Sequence, residues 1–337
     1  MPSSLPTCQI GPLTVSAIGL GCMNLSHAYL PRPDAKQAER VLHRALDLGV
    51  TLLDTAALYG FGANEELLGR TVMHRRDEFV LSSKCVLAGI DGKRGLDGSP
   101  KAIAQVLEDS LRRLRVDYID LYYLHRLDRN VPIEESVGAL VRAKEAGKIG
   151  AIGLSEMSAK TLRRAHAVHP IAAMQTEYSP WSRNAEVAVL DACAELGVGF
   201  VAFSPLARGL LAEGIGPDAP QAPDIRANMP RFQSPNWEAN LQLASRFNAI
   251  ARDAGCTSAQ LCLGWVMSRG DHIVPIPGTA DIVHLEENLA TLTMRIPDDA
   301  IAAVDELFPF GAAAGPRYSR ASQAETDTEI FAGEELQ

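Results

Sequence analysis

Eight short apolar runs, each followed by a polar or glycine-containing turn and a stretch of helical periodicity, are the feature that most limits the fold of this sequence. The runs cover residues 17–21, 51–55, 79–84, 119–125, 149–155, 173–177, 199–204 and 273–277. Strands that alternate with helices pair in parallel, and eight such units in 337 residues fit a closed (β/α)8 TIM barrel. An open, doubly wound parallel sheet is the alternative that the pattern leaves.

The segment 100–114 shows the helical half of the pattern. Its apolar residues at 103, 106, 107, 111 and 114 form one stripe along a helix. Ser99 stands where an N-cap is expected, and Pro100 suits the first helical turn. The spacing therefore predicts a helix over 100–114.

No linker rich in Pro, Ser and Gly divides the chain, so residues 1–337 are interpreted as one barrel domain. Two segments are longer than ordinary loops: the proline-rich segment 205–235 after the seventh strand, and the tail 308–337. The tail is expected to be partly extended and to lie over the top of the barrel. Its acidic end, from Glu325 to Glu329 with Glu334 and Glu335, is predicted to be a solvated terminus.

Charge and composition exclude several classes of partner. The net charge is −9, from 32 basic and 41 acidic residues, and no basic run interleaved with aromatics suggests nucleic acid. The start lacks a secretion signal, and no apolar stretch approaches the roughly 18 to 20 residues that span a bilayer. We therefore expect a soluble, cytoplasmic protein that binds no membrane. A monomer and a homo-oligomer are equally compatible with the sequence.

Cysteines and histidines do not suggest a metal site. The six cysteines are dispersed without a C-x-x-C pair, and a chain of this size needs no disulfides, so we expect reduced thiols. His166 and His169 lie three residues apart, but no acidic residue or cysteine completes a ligand set around them. The sequence therefore predicts no metal.

Asp54, Tyr59, Lys84 and His125 are the candidate catalytic residues. Asp54, Lys84 and His125 lie at or just past the ends of three predicted strands, and Tyr59 follows Asp54 by five residues. Active sites of barrels form at the carboxyl ends of the strands, where side chains from different strands meet. All four residues are therefore expected to converge.

The chemistry of these four side chains favours proton donation to a carbonyl. A phenol with a pKa near 10 is a weak acid, but an adjacent ammonium favours the phenolate and lowers that pKa. Lys84 would supply this charge, and Asp54 would keep a buried lysine protonated. A neutral His125 could donate a hydrogen bond to the carbonyl oxygen and orient it. None of the four can supply a hydride.

The ordered motifs of the chain resemble those of the aldo-keto reductase family. The matching segments are 49–60, 64–69, 107–114, 116–126, 147–155, 203–209, 276–279 and 284–288, and the resemblance extends from about residue 10 to residue 308. The segments 21–23, 153–156 and 315–318 are more similar to the bacterial and plant branch described as pyridoxal or isatin reductase-like than to the aldose reductases.

The resemblance implies an NAD(P)H-dependent oxidoreductase that reversibly reduces an aldehyde or ketone to an alcohol. Tyr59 would be the general acid, Asp54 and Lys84 would tune it, and His125 would orient the carbonyl. The implied cofactor-binding residues are Gly21, Cys22, Met23, Ser155, Glu156, Gln175, Phe203, Ser204, Leu206, Arg208, Gly209, Pro277, Gly278, Thr279, His284, Glu287 and Asn288. The expected walls of the substrate pocket are Met23, Tyr29, Phe61, Tyr178, Trp181 and Phe232.

Several positions depart from the family pattern. Glu156 stands where many members carry Asn, and Phe203 stands where many carry a stacking Tyr. Ala280 and His284 occupy positions where relatives often place Arg or Lys to bind the 2′-phosphate of NADP. The expectation favours NADP(H) over NAD(H), because Arg208, Thr279 and a protonatable His284 remain.

Two other functions are compatible with the same residues. Lys84 could form a Schiff base in a lyase or aldolase, although Asp54 opposes this by favouring the charged amine. The chain could also be a cofactor-binding regulatory subunit, as the channel β subunits of this family are. Retention of all four candidate catalytic residues favours an enzyme.

Overall fold

The computed structural model describes residues 5–90, 93–332 and 334. Within these residues, each strand of the central sheet is followed by at least one α-helix. The strands in these residues are β1 (Thr7–Ile10), β2 (Leu13–Ser16), β3 (Leu20–Gly21), β4 (Leu52–Asp54), β5 (Val80–Cys85), β6 (Leu87–Ile90), β7 (Lys93–Leu96), β8 (Ile119–Leu124), β9 (Ile149–Ser155), β10 (Ala173–Glu177), β11 (Gly199–Phe203) and β12 (Ile273–Pro275). The α-helices are α1 (Ala35–Asp47), α2 (Ala63–Thr71), α3 (Pro100–Leu114), α4 (Ile133–Glu145), α5 (Ala159–Val168), α6 (Val189–Leu196), α7 (Asn236–Asp253), α8 (Ser258–Met267), α9 (Ile282–Ala290), α10 (Asp298–Leu307) and α11 (Arg320–Gln323).

Eight parallel strands form a closed barrel. Their order around the sheet is β3, β4, β5, β8, β9, β10, β11 and β12. The last strand returns to the first, because the peptide nitrogen of Gly19 donates to Pro275 O at 3.0 Å and that of Gly21 donates to Pro277 O at 3.3 Å. The (β/α)8 barrel predicted from the eight apolar runs is confirmed.

The predicted elements lie close to the observed ones. Each of the eight apolar runs contains one barrel strand or most of it, and the predicted helix over 100–114 is α3. The Ser99 side chain accepts from the Ala102 peptide nitrogen at 3.3 Å, as expected of an N-cap. The first strand is shorter than its run, because Ala17 instead bonds to Pro6 O below the barrel.

Two hairpins that the sequence analysis did not find flank the barrel. The hairpin β1–β2 closes the amino-terminal end, where Ile10 and Val15 pack into the barrel interior beside Leu52 and Val201. The hairpin β6–β7 follows β5 at the carboxyl end. It therefore stands beside the region where the strand ends place their polar side chains.

The two long segments also have defined positions. The segment 205–235 contains short 3-10 turns and leads into α7. The tail after α10 packs on the carboxyl ends of β9 and β10, and its Thr326 and Thr328 are buried. The acidic residues there are not simply solvated: Asp327 accepts from the Ser158 hydroxyl at 2.8 Å, and Glu329 accepts from the Ala159 peptide nitrogen at 2.6 Å. Glu335 lies outside the described residues. Within the part of the chain that is described, no helix combines the length and the apolar character needed to cross a membrane.

Candidate active site

A single cavity of about 690 Å³ lies at the carboxyl ends of the barrel strands. Asp54, Tyr59 and His125 line it, and Lys84 lies directly beneath Tyr59. The strand ends of β4, β5 and β8 deliver these groups to one place, as the barrel requires. The structure therefore brings the four candidate catalytic residues together.

Lys84 and Asp54 form a buried ion pair on adjacent strands. Their side chains are 0% and 3% exposed. The Lys84 ammonium donates to Asp54 Oδ1, to Thr55 O at 2.8 Å and to the Tyr59 hydroxyl at 3.4 Å. The ammonium is therefore held with all three of its donors directed at oxygen atoms.

The second carboxylate oxygen of Asp54 is also occupied. Asp54 Oδ2 accepts from the Ser82 hydroxyl at 2.7 Å and from Gln175 Nε2 at 2.9 Å. A buried carboxylate needs such partners, because burial without them is costly. Gln175 reaches Asp54 from the far side of the barrel, so it connects the ion pair to the half of the site formed by β9 and β10.

The electrostatics keep Lys84 charged. Burial alone would lower the pKa of Lys84, but Asp54 and the Tyr59 oxygen outweigh it, and the pKa of Lys84 is raised. A permanently charged amine is a poor nucleophile. The environment of Lys84 therefore suits an electrostatic role.

The Tyr59 phenol differs from the expectation. Burial raises the pKa of Tyr59, and the neighbouring Lys84 charge, which acts in the opposite direction, does not overcome it. The expected lowering came from the ammonium alone, whereas desolvation disfavours the phenolate and has the larger effect. At neutral pH the phenol is therefore protonated, which is the form that can donate a proton.

His125 is a neutral imidazole on the cavity wall. Burial, together with the charges of Arg126, Lys84 and Arg94, holds the pKa of His125 well below its usual range. Its ring lies edge-on to that of Tyr59, with the centroids 6.0 Å apart. The Nδ1 atom is buried and has no hydrogen-bond partner among the described residues. A carbonyl placed between the two rings would meet two neutral donors.

Most of the residues expected to bind a cofactor line the same cavity. Those on the wall are Gly21, Met23, Ser155, Gln175, Phe203, Ser204, Leu206, Arg208, Gly209, Pro277, Gly278, Thr279 and His284. They lie in or after β3, β9, β10, β11 and β12, and so form one continuous path across the barrel top from the candidate catalytic groups. A side chain at Gly21 would approach Ile276 O to 2.7 Å, so only glycine lets these two strand ends pack.

The loop after β11 has an unusual backbone. Ser204, Ala207 and Arg208 have φ values of 49°, 50° and 57°, in the left-handed region that non-glycine residues rarely adopt. Such strain is often found at ligand-binding loops. The Arg208 guanidinium pairs with Glu177 and donates to the Tyr318 hydroxyl at 3.1 Å. This cation therefore already has a counter-ion.

The start of α9 bounds the far end of the cavity. Its N-cap is Asp281, whose carboxylate accepts from the Val283 peptide nitrogen at 2.7 Å. Gln37 donates to Ala280 O at 2.7 Å and closes the rim from α1. An acidic side chain occupies the N-terminus of α9. This end of the cavity therefore attracts an anion less strongly than an uncapped helix N-terminus would.

Glu156 does not reach the cavity wall. Its carboxylate accepts from both terminal nitrogens of Arg317 at 3.1 Å, from Thr328 at 2.6 Å and from the Glu177 peptide nitrogen at 2.9 Å. Its backbone φ is 53°. Burial acts to raise the pKa of Glu156, but the charges of Arg317 and Arg126 outweigh it and leave that pKa lowered. Cys22, Glu287 and Asn288 also lie outside the set of wall residues.

The expected substrate walls are only partly on the cavity. Met23 and Tyr29 line it, whereas Phe61 is 54% exposed on the surface. Tyr178 is buried and bonds to Glu186, with its ring against Trp265. Trp181 and Phe232 pack on each other in the core, with ring centroids 5.8 Å apart. The expectation placed large loop aromatics on the pocket wall, but three of them are buried in the core, because burial of their large apolar area is favourable.

Several wall residues had not been found from the sequence. They are, among others, His27, Leu58, Leu87, Arg94, Arg126, Arg226, Met229 and Tyr318. Arg126 follows His125 directly, and that position at a strand end was the one available signal. His27 and Leu58 lie in the loops after β3 and β4. The others come from the hairpin β6–β7, the segment 205–235 and the tail, whose positions only the folded chain defines.

A model of the Aldo/keto reductase family matches residues 17–308 of the chain. This range contains the eight barrel strands and ends just after α10. It also includes the four candidate catalytic residues.

Two relatives are similar to this chain over most of their length. The chain is 42% identical over 327 residues to a Schizosaccharomyces pombe protein named aldo-keto reductase yakc [NADP(+)], covering 94% of this chain and 95% of the relative. It is 40% identical over 308 residues to a probable aldo-keto reductase 1 of Glycine max, covering 90% of this chain and 88% of the relative.

Solved structures have the same fold. A glycerol dehydrogenase from Gluconobacter oxydans superposes with a TM-score of 0.81 at 28% identity, covering 100% of both chains. The holo form of an aldo-keto reductase from Bacillus halodurans superposes with a TM-score of 0.75 at 26% identity, covering 93% of this chain and 98% of the other.

Proposed function

Because this chain belongs to the aldo/keto reductase family, we propose that it reversibly reduces an aldehyde or ketone to an alcohol with a nicotinamide cofactor. One observation carries the proposal. Tyr59, supported by the buried Lys84–Asp54 pair, and a neutral His125 line a single cavity. These groups combine a proton donor with a fixed positive charge beside it and a second neutral donor at the carboxyl ends of adjacent strands.

Tyr59 acts as the general acid in this proposal. Its raised pKa keeps the phenol protonated, and Lys84 stabilises the phenolate that remains after proton transfer. His125 hydrogen-bonds to the carbonyl oxygen and orients it towards Tyr59. When bound, the nicotinamide supplies the hydride that none of these side chains can provide.

The wall offers groups suited to each part of such a cofactor. Ser155 and Gln175 provide hydroxyl and amide groups for a carboxamide, and Phe203 provides an aromatic face for a flat ring. The loop after β11, with Ser204, Leu206 and Arg208, is proposed to hold the pyrophosphate. The left-handed residues of that loop and the close approach of Gly21 to β12 support this assignment.

Cofactor preference is proposed to be NADP(H). A relative that is 42% identical carries NADP(+) in its name, and Thr279 and His284 line the adenosine end of the cavity. Against these stand Ala280 and the Asp281 cap, which make the cationic clamp weak. We therefore expect a modest preference for NADPH rather than exclusive use of it.

A panel of aldehydes and ketones, run with NADPH and with NADH, tests the proposal. We expect carbonyl-dependent loss of the cofactor absorbance and formation of the alcohol. Fluorescence titration of both cofactors gives the preference directly. Binding of cofactor without reduction of any carbonyl would instead indicate a regulatory subunit, and tighter binding of NADH would contradict the NADP(H) assignment.

A Schiff-base lyase fits the geometry less well. The Lys84 nitrogen is saturated by Asp54, Thr55 and Tyr59, and its raised pKa opposes the free amine. Borohydride treatment in the presence of a carbonyl substrate should leave the mass of the protein unchanged. A covalent adduct on Lys84 would revive the lyase.

A further inference from the structure

Arg126 places a positive charge without an acidic partner on the wall of the candidate active site. The residue is half-buried and lines the cavity directly after His125. Among the described residues, no carboxylate lies within 4.0 Å of its guanidinium. The other arginines on this wall are Arg32, Arg94, Arg208 and Arg226, and each of them except Arg32 forms an ion pair with a carboxylate. A half-buried charge of this kind is costly unless something compensates it.

Two hydrogen bonds orient this guanidinium. One terminal nitrogen donates to His125 O at 2.7 Å, and it lies 3.5 Å from the Ser155 hydroxyl. No other side-chain hydrogen bond of Arg126 is found in the described residues. The side chain is therefore anchored at one corner, while its remaining donors are available at the cavity wall.

The nearest carboxylate on an adjacent strand end is already engaged. Glu156 is held by Arg317, Thr328 and the Glu177 peptide nitrogen. Arg317 forms a bidentate pair with Glu156, so it supplies the charge that this carboxylate needs. Although Arg126 acts on Glu156 at longer range, it forms no ion pair with it. Arg126 is thus left for a ligand.

The charge of Arg126 is felt at the reacting groups. Its guanidinium bonds to the carbonyl oxygen of His125, which places the charge beside this residue. Burial is the main cause of the lowered pKa of His125, and the charge of Arg126 adds to it. The residues proposed to hold the cofactor phosphates follow β11 and β12, whereas Arg126 follows β8. An anion bound to Arg126 would therefore belong to the substrate end of the cavity.

We propose that Arg126 binds a carboxylate of the substrate, and that this chain prefers carbonyl compounds which carry such a group near the aldehyde or ketone. This inference rests on the proposed carbonyl reduction and adds the class of substrate to it. A planar guanidinium matches a carboxylate with two parallel hydrogen bonds. Leu58 and Leu87 supply the apolar wall against which the carbon skeleton packs.

The test compares each carboxylate substrate with its uncharged methyl ester. Two pairs of different length are used, 4-formylbenzoate and 4-oxobutanoate with their esters, so that the result does not depend on one spacing. The variants are Arg126→Gln and Arg126→Lys. Arg129→Gln is the matched control, because it removes the same charge from the same loop at an exposed side chain that is paired with Asp327.

We expect wild type to favour the acid over the ester in at least one pair. Arg126→Gln should lower kcat/KM for that acid by about 10- to 100-fold, mainly through KM, because a hydrogen-bonded charge is lost. It should change kcat/KM for the ester by less than about threefold. Arg126→Lys should restore part of the preference, and Arg129→Gln should keep all of it.

Two results would overturn the inference. An equal loss for acid and ester in Arg126→Gln would mean that Arg126 supports the reacting groups or the fold, and no loss for either would mean that it binds no substrate. Both results leave the reductase assignment standing. A wild type that favours the acid in neither pair would overturn the inference as well. Failure of wild type to reduce any carbonyl compound of the wider panel, with cofactor bound, would instead refute the proposed function itself.

Discussion

Two buried ion pairs at the same end of the barrel have opposite relations to the cavity. The Lys84–Asp54 pair joins adjacent strands and has a hydroxyl of the cavity wall, that of Tyr59, as a neighbour. The Glu156–Arg317 pair joins a strand end to the tail, with side chains 0% and 1% exposed, and faces away from the cavity.

The difference shows that a buried charge at a strand end can serve either chemistry or assembly. Asp54 and Lys84 are 30 residues apart, and both lie on elements that the barrel pattern already defines. Glu156 and Arg317 are 161 residues apart, and the tail must fold over β9 before they meet. We interpret the first pair as part of the reaction machinery and the second as a clasp for the tail.

Replacement of Tyr59 by Phe should have the largest effect on activity. It changes the surroundings of the Lys84–Asp54 pair and should leave the Glu156–Arg317 pair as it is. Loss of the general acid is expected to lower kcat for carbonyl reduction by about 10²- to 10⁴-fold. Cofactor affinity and the free energy of unfolding should change little, because the ring remains. Steady-state kinetics and fluorescence titration measure this, with Tyr118→Phe at the opposite end of the barrel as the control. A Tyr59→Phe enzyme with near-native turnover would remove this tyrosine as the acid.

Replacement of Arg317 by Met should break the clasp. It leaves Glu156 buried without its cation, so the free energy of unfolding should fall by about 3–5 kcal/mol. Urea unfolding measures the loss, and limited trypsin digestion should cleave the tail after Arg320 earlier than in wild type. Unchanged stability and unchanged digestion would show that the pair does not hold the tail.

The matched variant for the first pair is Lys84→Met. A loss of stability of similar size is expected, because Asp54 is then the unpaired buried charge. The rate of trypsin cleavage of the tail in the folded protein should stay as in wild type, because the partners of Lys84 are Asp54, Thr55 and Tyr59 and none of them lies in the tail. Premature cleavage in this variant too would mean that the two pairs are not independent.

The free energy of unfolding at low pH should depend on Glu177, which lies on the tail side of the cavity. Burial opposes ionisation of Glu177, but Arg208, Arg317 and Arg231 outweigh it and lower the pKa of Glu177 to about 2. A lowered folded-state pKa adds stability above the ordinary pKa of Glu, and this stability is lost as the pH falls from about 4.5 to about 2. The contribution is about 3 kcal/mol at neutral pH. Urea unfolding from pH 7 to pH 3 should therefore show a shallower loss in Glu177→Gln than in wild type, and identical slopes would refute the assignment.

The smallest effect is expected in the pH profile of reduction. His125 is neutral and Tyr59 is protonated between about pH 6 and pH 8, because their pKa values are shifted downward and upward. The kcat for reduction should therefore vary by less than about twofold across this range, and should fall only as the pH rises through the raised pKa of Tyr59. A step near pH 6.5 that disappears in His125→Gln would show that this histidine titrates after all.

The meeting of the four candidate catalytic side chains was predictable from the sequence for a definite physical reason. Asp54, Lys84 and His125 end three strands whose apolar runs are visible without any structure, and parallel strands of a barrel all end on one face. The positions proposed to bind a cofactor came from the family resemblance, and most of them also end a strand or follow one directly. The N-terminal hairpin had no comparable signal, because its two strands are only four residues long and contain no continuous apolar run.

The errors lie where burial decides. Trp181 and Phe232 were expected in the pocket, but they contribute their area to the core. Glu156 was expected to bind the cofactor, and a distant arginine takes its carboxylate instead. The direction of the Tyr59 shift was also misjudged, because desolvation cannot be read from the type of a neighbouring residue.

The sequence by itself determined the barrel, its strand ends and therefore the meeting of Asp54, Tyr59, Lys84 and His125, because periodicity and chain order are local properties. Only the tertiary structure decided which charges were already paired. In the folded chain Glu156 pairs with Arg317 of the tail, and Arg126 lies at the cavity without an acidic partner among the described residues. Ion pairing depends on distances between segments that are far apart in the chain.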